Sequence, residues 1–128
     1  MKDFKTIFFF LRLPIAISLF GHGFVRLPKL EIFSNWMVTS MEKSAIPSFM
    51  IVPFSYILPI VELLIGLSLL IGFQTKYTLF TGLVLMSILI LGSSSIENWS
   101  AIEAQLLHSA YLGGLVWFWQ KYKPESNH

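Results

Sequence analysis

The chain has 128 residues, of which 55% are hydrophobic and 12% are charged, and its formal net charge is +2. Soluble domains carry about 25% charged residues, so this composition excludes a soluble globular protein. The small positive charge gives no reason to expect a nucleic-acid partner. Because the chain contains no cysteine, disulfides, thiol redox chemistry and cysteine-ligated metals are excluded, and we expect no metal site.

Four apolar stretches approach the length of about 20 residues that crosses a bilayer. They occupy residues 4–24, 49–73, 77–92 and 101–119. The links between the last three stretches are short and force neighbouring spans to run antiparallel. The sequence therefore predicts one integral membrane domain over residues 1–128, an all-α polytopic four-helix bundle with up-down-up-down topology.

The first stretch is expected to be a retained helix, because it contains Arg12 and lacks the small-residue cleavage site of a signal peptide. At about 100° per residue, one face of this helix carries several polar side chains. They are Arg12, Ser18, His22 and Arg26. A polar stripe of this kind is expected to face the interior of the bundle.

The connection from Val25 to Ser48 is the longest in the chain, and apolar side chains recur along it at helical spacing. They are Ile32, Phe33, Trp36, Met37 and Met41. This pattern predicts a short helix that lies flat on the outer membrane interface. A loop packed over the mouth of the bundle is the alternative that the pattern leaves open.

The second stretch contains a single formal charge, that of Glu62, between residues 49 and 73. An ionisable group at membrane depth costs at least a few kcal/mol, so it normally has a protein partner. At about 1.5 Å per residue, Arg12 lies about 12 Å and Glu62 about 16 Å from the same membrane face. The sequence therefore predicts an Arg12–Glu62 ion pair, serving either helix register or chemistry.

The third stretch has few polar residues and is expected to serve as a packing helix. In the fourth, Ser100 and Glu103 match a capping box that would begin the helix at Ser100. Gln105 and His108 share a face of this helix. Their depth is similar to that of His22, which predicts an upper polar cluster of these three side chains.

Lysine and arginine are distributed unequally between the two predicted membrane faces. The side of the termini carries Lys2, Lys5, Lys76, Lys121 and Lys123, and the other side carries Arg26, Lys29 and Lys43. By the positive-inside rule, both termini are predicted to be cytoplasmic.

Two segments resemble a known family. One runs from Arg12 through Gly21-His22-Gly23 to Lys29, and the other is Pro59-x-x-Glu62-x-x-x-Gly66-x-x-Leu69-x-x-Gly72. Together with four short spans, they resemble the DoxX family of small four-helix bacterial membrane proteins. The resemblance implies a multi-pass protein of the bacterial cytoplasmic (inner) membrane, related to membrane subunits of thiosulfate:quinone oxidoreductases and of complexes linked to oxidative stress. It marks Arg12, His22 and Glu62 as the polar positions, whereas Gln105 and His108 rest on the residue pattern alone.

The leading functional hypothesis is an oxidoreductase-associated subunit that binds a quinone between its helices. The candidate catalytic residues are Glu62, His22 and His108: a histidine would bind a quinone carbonyl and Glu62 would relay protons. The candidate cofactor-binding residues are Arg12, His22, Glu62, Gln105 and His108. A haem b held by His22 and His108 is a less favoured alternative.

The main alternative is a non-enzymatic assembly or scaffold subunit of a membrane complex, whose polar residues fix helix packing. Under both hypotheses the chain contacts the lipid bilayer and a partner protein, membrane-embedded or peripheral. A partner is needed because the predicted bundle has no extramembrane domain for a second redox site. The residue pattern leaves open whether the chain is an enzyme at all and whether it forms a homo-oligomer.

Overall fold

A computed structural model describes residues 3–123 of the chain. The helices are α1 (Phe4–Arg26), α2 (Leu30–Ser40), α3 (Ser48–Ile71), α4 (Thr75–Ser95) and α5 (Trp99–Tyr122), and a 3-10 turn at Leu27–Lys29 joins α1 to α2. No strand occurs within residues 3–123, so the predicted all-α class is confirmed. Lys2, which contributed to the predicted charge bias, lies outside the described residues.

Three helical stretches in the described part of the chain are long and apolar enough to cross a membrane. They are Phe4–Ser40, which runs through the 3-10 turn, Ser48–Ile71 and Thr75–Ser95. The predicted fourth span corresponds to α5, which is as long as α3 but is not among these stretches, since it carries Glu103, Gln105 and His108. The composition and these helices together indicate a membrane protein.

The closest helix packing in the structure is between α1 and α3. A Cβ atom added to Gly66 would lie 2.7 Å from the Cα of Phe20, and one added to Gly23 would lie 2.6 Å from the backbone nitrogen of Leu63. Small residues at such positions allow helix backbones to approach closely, which is how helices gain packing energy inside a membrane. Gly23 and Gly66 therefore fix the register between α1 and α3.

The core lies between α1, α3, α4 and α5. Its most deeply buried large side chains are Phe8, Leu19, Leu69, Leu79 and Leu112. The outward faces of the same helices also carry large apolar side chains, such as Ile17, Leu64, Val84 and Leu107, each more than half exposed. In water such a surface would associate or aggregate, whereas in a bilayer it contacts lipid.

The long connection between α1 and α3 contains the predicted short helix, α2. This helix packs against α3, where the hydroxyls of Ser34 and Ser55 lie 2.7 Å apart in a hydrogen bond. Phe33 is buried, while Ile32 and Trp36 are exposed. The apolar side chains of α2 are thus divided between the protein interior and its outer surface, and placement at the membrane interface stays a prediction.

The start of α5 differs from the prediction. The helix begins at Trp99, and the side chain of Asn98 accepts a hydrogen bond from the backbone nitrogen of Ala101 at 3.3 Å. The predicted capping box of Ser100 and Glu103 is therefore wrong. Asparagine is one of the strongest N-cap residues, and its position two residues before Ser100 places that serine inside the first helical turn.

Candidate functional site

A cavity of about 450 Å³ lies among all five helices, on the side of the bundle where α3 and α5 begin. Apolar side chains form most of its wall, including Phe33, Met37, Phe54, Met86 and Leu89. Polar side chains also line it: a group of five, His22, Arg26, Glu62, Gln105 and His108, beside Ser40, Ser93 and Asn98. Four of these five were predicted as candidate site residues.

The fifth candidate, Arg12, does not line this cavity. Glu62 instead pairs with Arg26, whose Nη1 lies 3.1 Å from Oε1 of Glu62. The Arg26 guanidinium also lies 4.5 Å from the ring centroid of Phe33, within cation–π distance. The predicted Arg12–Glu62 pair is therefore wrong, and Arg26, which lies on the predicted polar face of α1, is the site residue that is not among the predicted candidates.

The error arose from the axial offset between α1 and α3. The depth estimate placed the start of α1 level with the end of α3. In the structure, Arg12 lies beside Leu69: it is eight residues into α1, whereas Leu69 is two residues from the end of α3. The start of α1 thus extends about 9 Å beyond the end of α3, and this offset carries Arg12 away from Glu62.

Arg12 caps the end of α3. Its Nε donates a hydrogen bond to the carbonyl oxygen of Leu69 at 2.6 Å. The last carbonyls of a helix have no partner within the helix and carry partial negative charge, so a cation there is stabilising. The guanidinium lies 5.4 Å from the ring centroid of Phe8 and 5.3 Å from that of Phe9.

The two predicted histidines are neighbours. The ring centroids of His22 and His108 are 6.0 Å apart, with an angle of 83° between the ring planes. Nδ1 of His22 lies 2.6 Å from the carbonyl oxygen of Ser18, and Nδ1 of His108 lies 2.9 Å from that of Ala104. Because a carbonyl oxygen only accepts hydrogen bonds, we assign the proton of each neutral ring to Nδ1.

This tautomer leaves Nε2 of each ring as an acceptor. Nε2 of His108 lies 3.0 Å from Oγ of Ser18, which donates to it. Ser18 therefore binds both rings, His22 through its carbonyl oxygen and His108 through its hydroxyl. Nε2 of His22 is not used in these contacts and is the ring nitrogen that remains for a ligand.

Gln105 adds a further acceptor. Its Nε2 donates to Oγ of Ser93 at 3.0 Å, whereas its Oε1 is buried and has no hydrogen-bond partner among the described residues. A buried acceptor left without a partner costs about 1–3 kcal/mol. Gln105 lines the cavity, and a ligand hydroxyl that reached this oxygen would remove the cost.

The structure also assigns a function in folding to most of the Pro59–Gly72 segment. Pro59 and Leu69 are buried, Gly66 contacts the backbone of α1, and Gly72 ends α3 with a φ of 77°, in the left-handed region that glycine tolerates. Glu62 is the position in this segment whose side chain lines the cavity. The segment therefore combines packing residues with one polar group.

Comparisons of this chain with protein-family models, with curated proteins and with solved structures find no match.

Proposed function

We propose that this chain is a DoxX-like integral protein of the bacterial inner membrane that binds a quinone and acts as an oxidoreductase-associated subunit. The observation that carries the proposal is the cavity of about 450 Å³, where four predicted polar side chains meet an apolar wall. Pockets for small molecules measure about 300–1,000 Å³ and are mostly apolar with a few polar groups. A quinone head group suits such a pocket, because it is mostly apolar and carries a few polar oxygen atoms.

The polar side chains at the cavity match the two redox forms of such a ligand. The quinone carries carbonyl acceptors, and Arg26 has N–H donors besides the one that contacts Glu62. The hydroquinone carries hydroxyl donors, which Gln105 Oε1 and His22 Nε2 accept. Reduction adds two electrons and two protons; Glu62 and the histidines carry the protons, and a partner protein supplies the electrons.

The proposed topology has four antiparallel spans with both termini in the cytoplasm. Support comes from a second cavity, which is lined by the start of α1, the end of α3, the start of α4 and the end of α5. These helix ends bring Lys5, Lys76 and Lys121 to one side. Ile32 and Trp36 on the exposed face of α2 fit placement at the opposite membrane interface.

A partner protein follows from the short connections between helices. Within residues 3–123 the non-helical links between successive helices cover only residues 41–47, 72–74 and 96–98. None of them is long enough to fold a nucleotide or thiosulfate site. An electron donor, membrane-embedded or peripheral, would therefore dock on this chain.

The test is purification in a mild detergent, followed by organic extraction and quantification of quinone. We expect about one quinone per chain, retained in the Glu103→Gln control on the exposed face of α5. Glu62→Gln and His108→Ala should lose most of it while keeping their helix content. A wild-type protein that neither retains nor takes up quinone would overturn the proposal, and a Soret band would instead support haem between the histidines.

A second candidate, an assembly subunit without catalysis, is favoured by the Arg26–Glu62 pair itself. This pair joins α1 to α3 in the same place as the Gly23 and Gly66 contacts, so helix packing alone would account for it. Under this reading, combining Arg26→Gln with Glu62→Gln restores the assembly that either single change impairs. A double variant as impaired as the worse single one would contradict the assembly role.

A further inference from the structure

The second cavity, of about 470 Å³, lies at the opposite end of the bundle from the proposed quinone site. It sits beside the α3–α4 turn, between the start of α1 and the end of α5. Its lining includes Lys5, Phe9, Arg12, Gly72 and Trp119. None of them lines the proposed quinone site.

The charged side chains that line this cavity within the described part of the chain are both cations. Lys5 and Arg12 line it, and among residues 3–123 no carboxylate does. The carbonyl of Leu69 accepts one hydrogen bond from Arg12, which leaves both terminal nitrogens of the guanidinium as donors. One of them, Nη2, faces Gly72, where an added Cβ would be 3.2 Å away, so the missing side chain keeps the space beside the cation open.

The walls of the cavity are aromatic and aliphatic. The Arg12 guanidinium stands over the rings of Phe8 and Phe9, and the ring of Trp119 lies 5.2 Å from that of Phe8, centroid to centroid. A small hydrated anion would gain nothing from such walls. A phosphate group attached to a hydrocarbon chain would satisfy both the cations and the walls.

The position of the cavity along the helices agrees with the depth at which lipid headgroups lie. Because α1 extends beyond α3, Arg12 lies level with the last turn of α3, close to the α3–α4 turn. A non-helical turn between two apolar helices marks the membrane surface, because its unpaired backbone groups need water. Basic pockets between helices at this surface are a known kind of site for anionic lipid headgroups.

We infer that this cavity binds the phosphate headgroup of an anionic phospholipid. Arg12 and Lys5 bind the phosphate, and Phe9 and Trp119 contact the first carbon atoms of the acyl chains. The inference is independent of the quinone site, because the two cavities share no lining residue.

The test measures the lipid that remains bound after purified protein is exchanged from mixed phosphatidylglycerol–phosphatidylcholine vesicles into detergent, using native mass spectrometry. The wild type is expected to retain phosphatidylglycerol in preference to phosphatidylcholine. Each cation near a membrane surface is worth about 1 kcal/mol, so Lys5→Gln should lower retention about fivefold. Arg12→Gln should lower it at least as much, while Arg12→Lys should keep most of it.

Lys43→Gln is the matched control, since it removes the same charge from an exposed position in the link between α2 and α3. Lys5 is also exposed, so its substitution leaves the fold intact. Equal retention of the two lipids, or equal losses in Lys5→Gln and Lys43→Gln, would overturn the inference. If millimolar inorganic phosphate stabilised the protein against unfolding as much as phosphatidylglycerol does, the site would bind a free anion. That result would overturn the lipid assignment.

Discussion

Replacing Arg26 by glutamine tests the α1–α3 register directly. In the structure this change removes the cation 3.1 Å from Oε1 of Glu62, whose side chain is only 6% exposed. Breaking a buried ion pair from one side costs about 3–5 kcal/mol, because the remaining charge stays buried without compensation. Since the Arg26 side chain is 32% exposed and water reaches it, we expect the lower end, about 3 kcal/mol.

The double variant Arg26→Gln/Glu62→Gln should recover most of this loss. Two neutral side chains at the same positions leave no buried charge, so the coupling free energy in a double-mutant cycle should be about 2–3 kcal/mol. The assay is reversible unfolding of the detergent-purified protein by sodium dodecyl sulfate, followed by tryptophan fluorescence. Retained quinone should be extracted first, because a bound ligand would add to the apparent stability.

Arg12 supplies the matched comparison. The membrane depth estimated from the sequence pairs Arg12 with Glu62, but in the structure its Nε donates a hydrogen bond to the carbonyl oxygen of Leu69. Arg12→Gln and Glu62→Gln should therefore be additive within about 0.5 kcal/mol. Strong coupling of Glu62 to Arg12, together with coupling below about 0.5 kcal/mol to Arg26, would refute the register described above.

Three further predictions use the same purified protein. Gly66→Ala should destabilise the bundle by about 1–3 kcal/mol, because the added Cβ would overlap the backbone of α1. At Gly113 an added Cβ would have no atom within 4 Å, so Gly113→Ala should change the unfolding free energy by less than about 0.5 kcal/mol. Equal effects of the two changes would contradict the close packing. Asn98→Ala should cost about 1 kcal/mol by removing the N-cap of α5, and Ser100→Ala should cost clearly less; the reverse order would restore the capping box. Gln105→Met should lower quinone retention about tenfold by removing the buried acceptor, and unchanged retention would show that Oε1 does not contact the ligand.

The sequence alone predicted the helices well. Each of the four apolar stretches corresponds to a helix whose bounds in the structure differ from the prediction by at most a few residues, because bilayer-length apolar runs leave the backbone no other way to satisfy its hydrogen bonds. The short helix in the first connection was also predicted, from the spacing of its apolar residues. Topology relative to the membrane stays a prediction.

The sequence predicted most of the residues that line the site, but it did not predict the axial offset between α1 and α3. Helical periodicity gives the face on which a residue lies, so His22, Glu62, Gln105 and His108 were grouped as facing inward. Periodicity carries no information on how far one helix slides along another. That offset depends on tertiary contacts at Gly23 and Gly66, and for this reason depth along the sequence pairs Glu62 with Arg12 in place of Arg26.

The glycine contacts between α1 and α3 also determine which side chains of the proposed quinone site are held at fixed distances from one another. His22, Arg26 and Glu62 belong to these two helices, which are held backbone to backbone, so their mutual distances are fixed. Gln105 and His108 belong to α5, which pairs mainly with α4. An opening of the cavity that moved α5 away from α1 would therefore lengthen the separation of His22 from His108 and break the Ser18–His108 hydrogen bond, while the Arg26–Glu62 distance would stay constant.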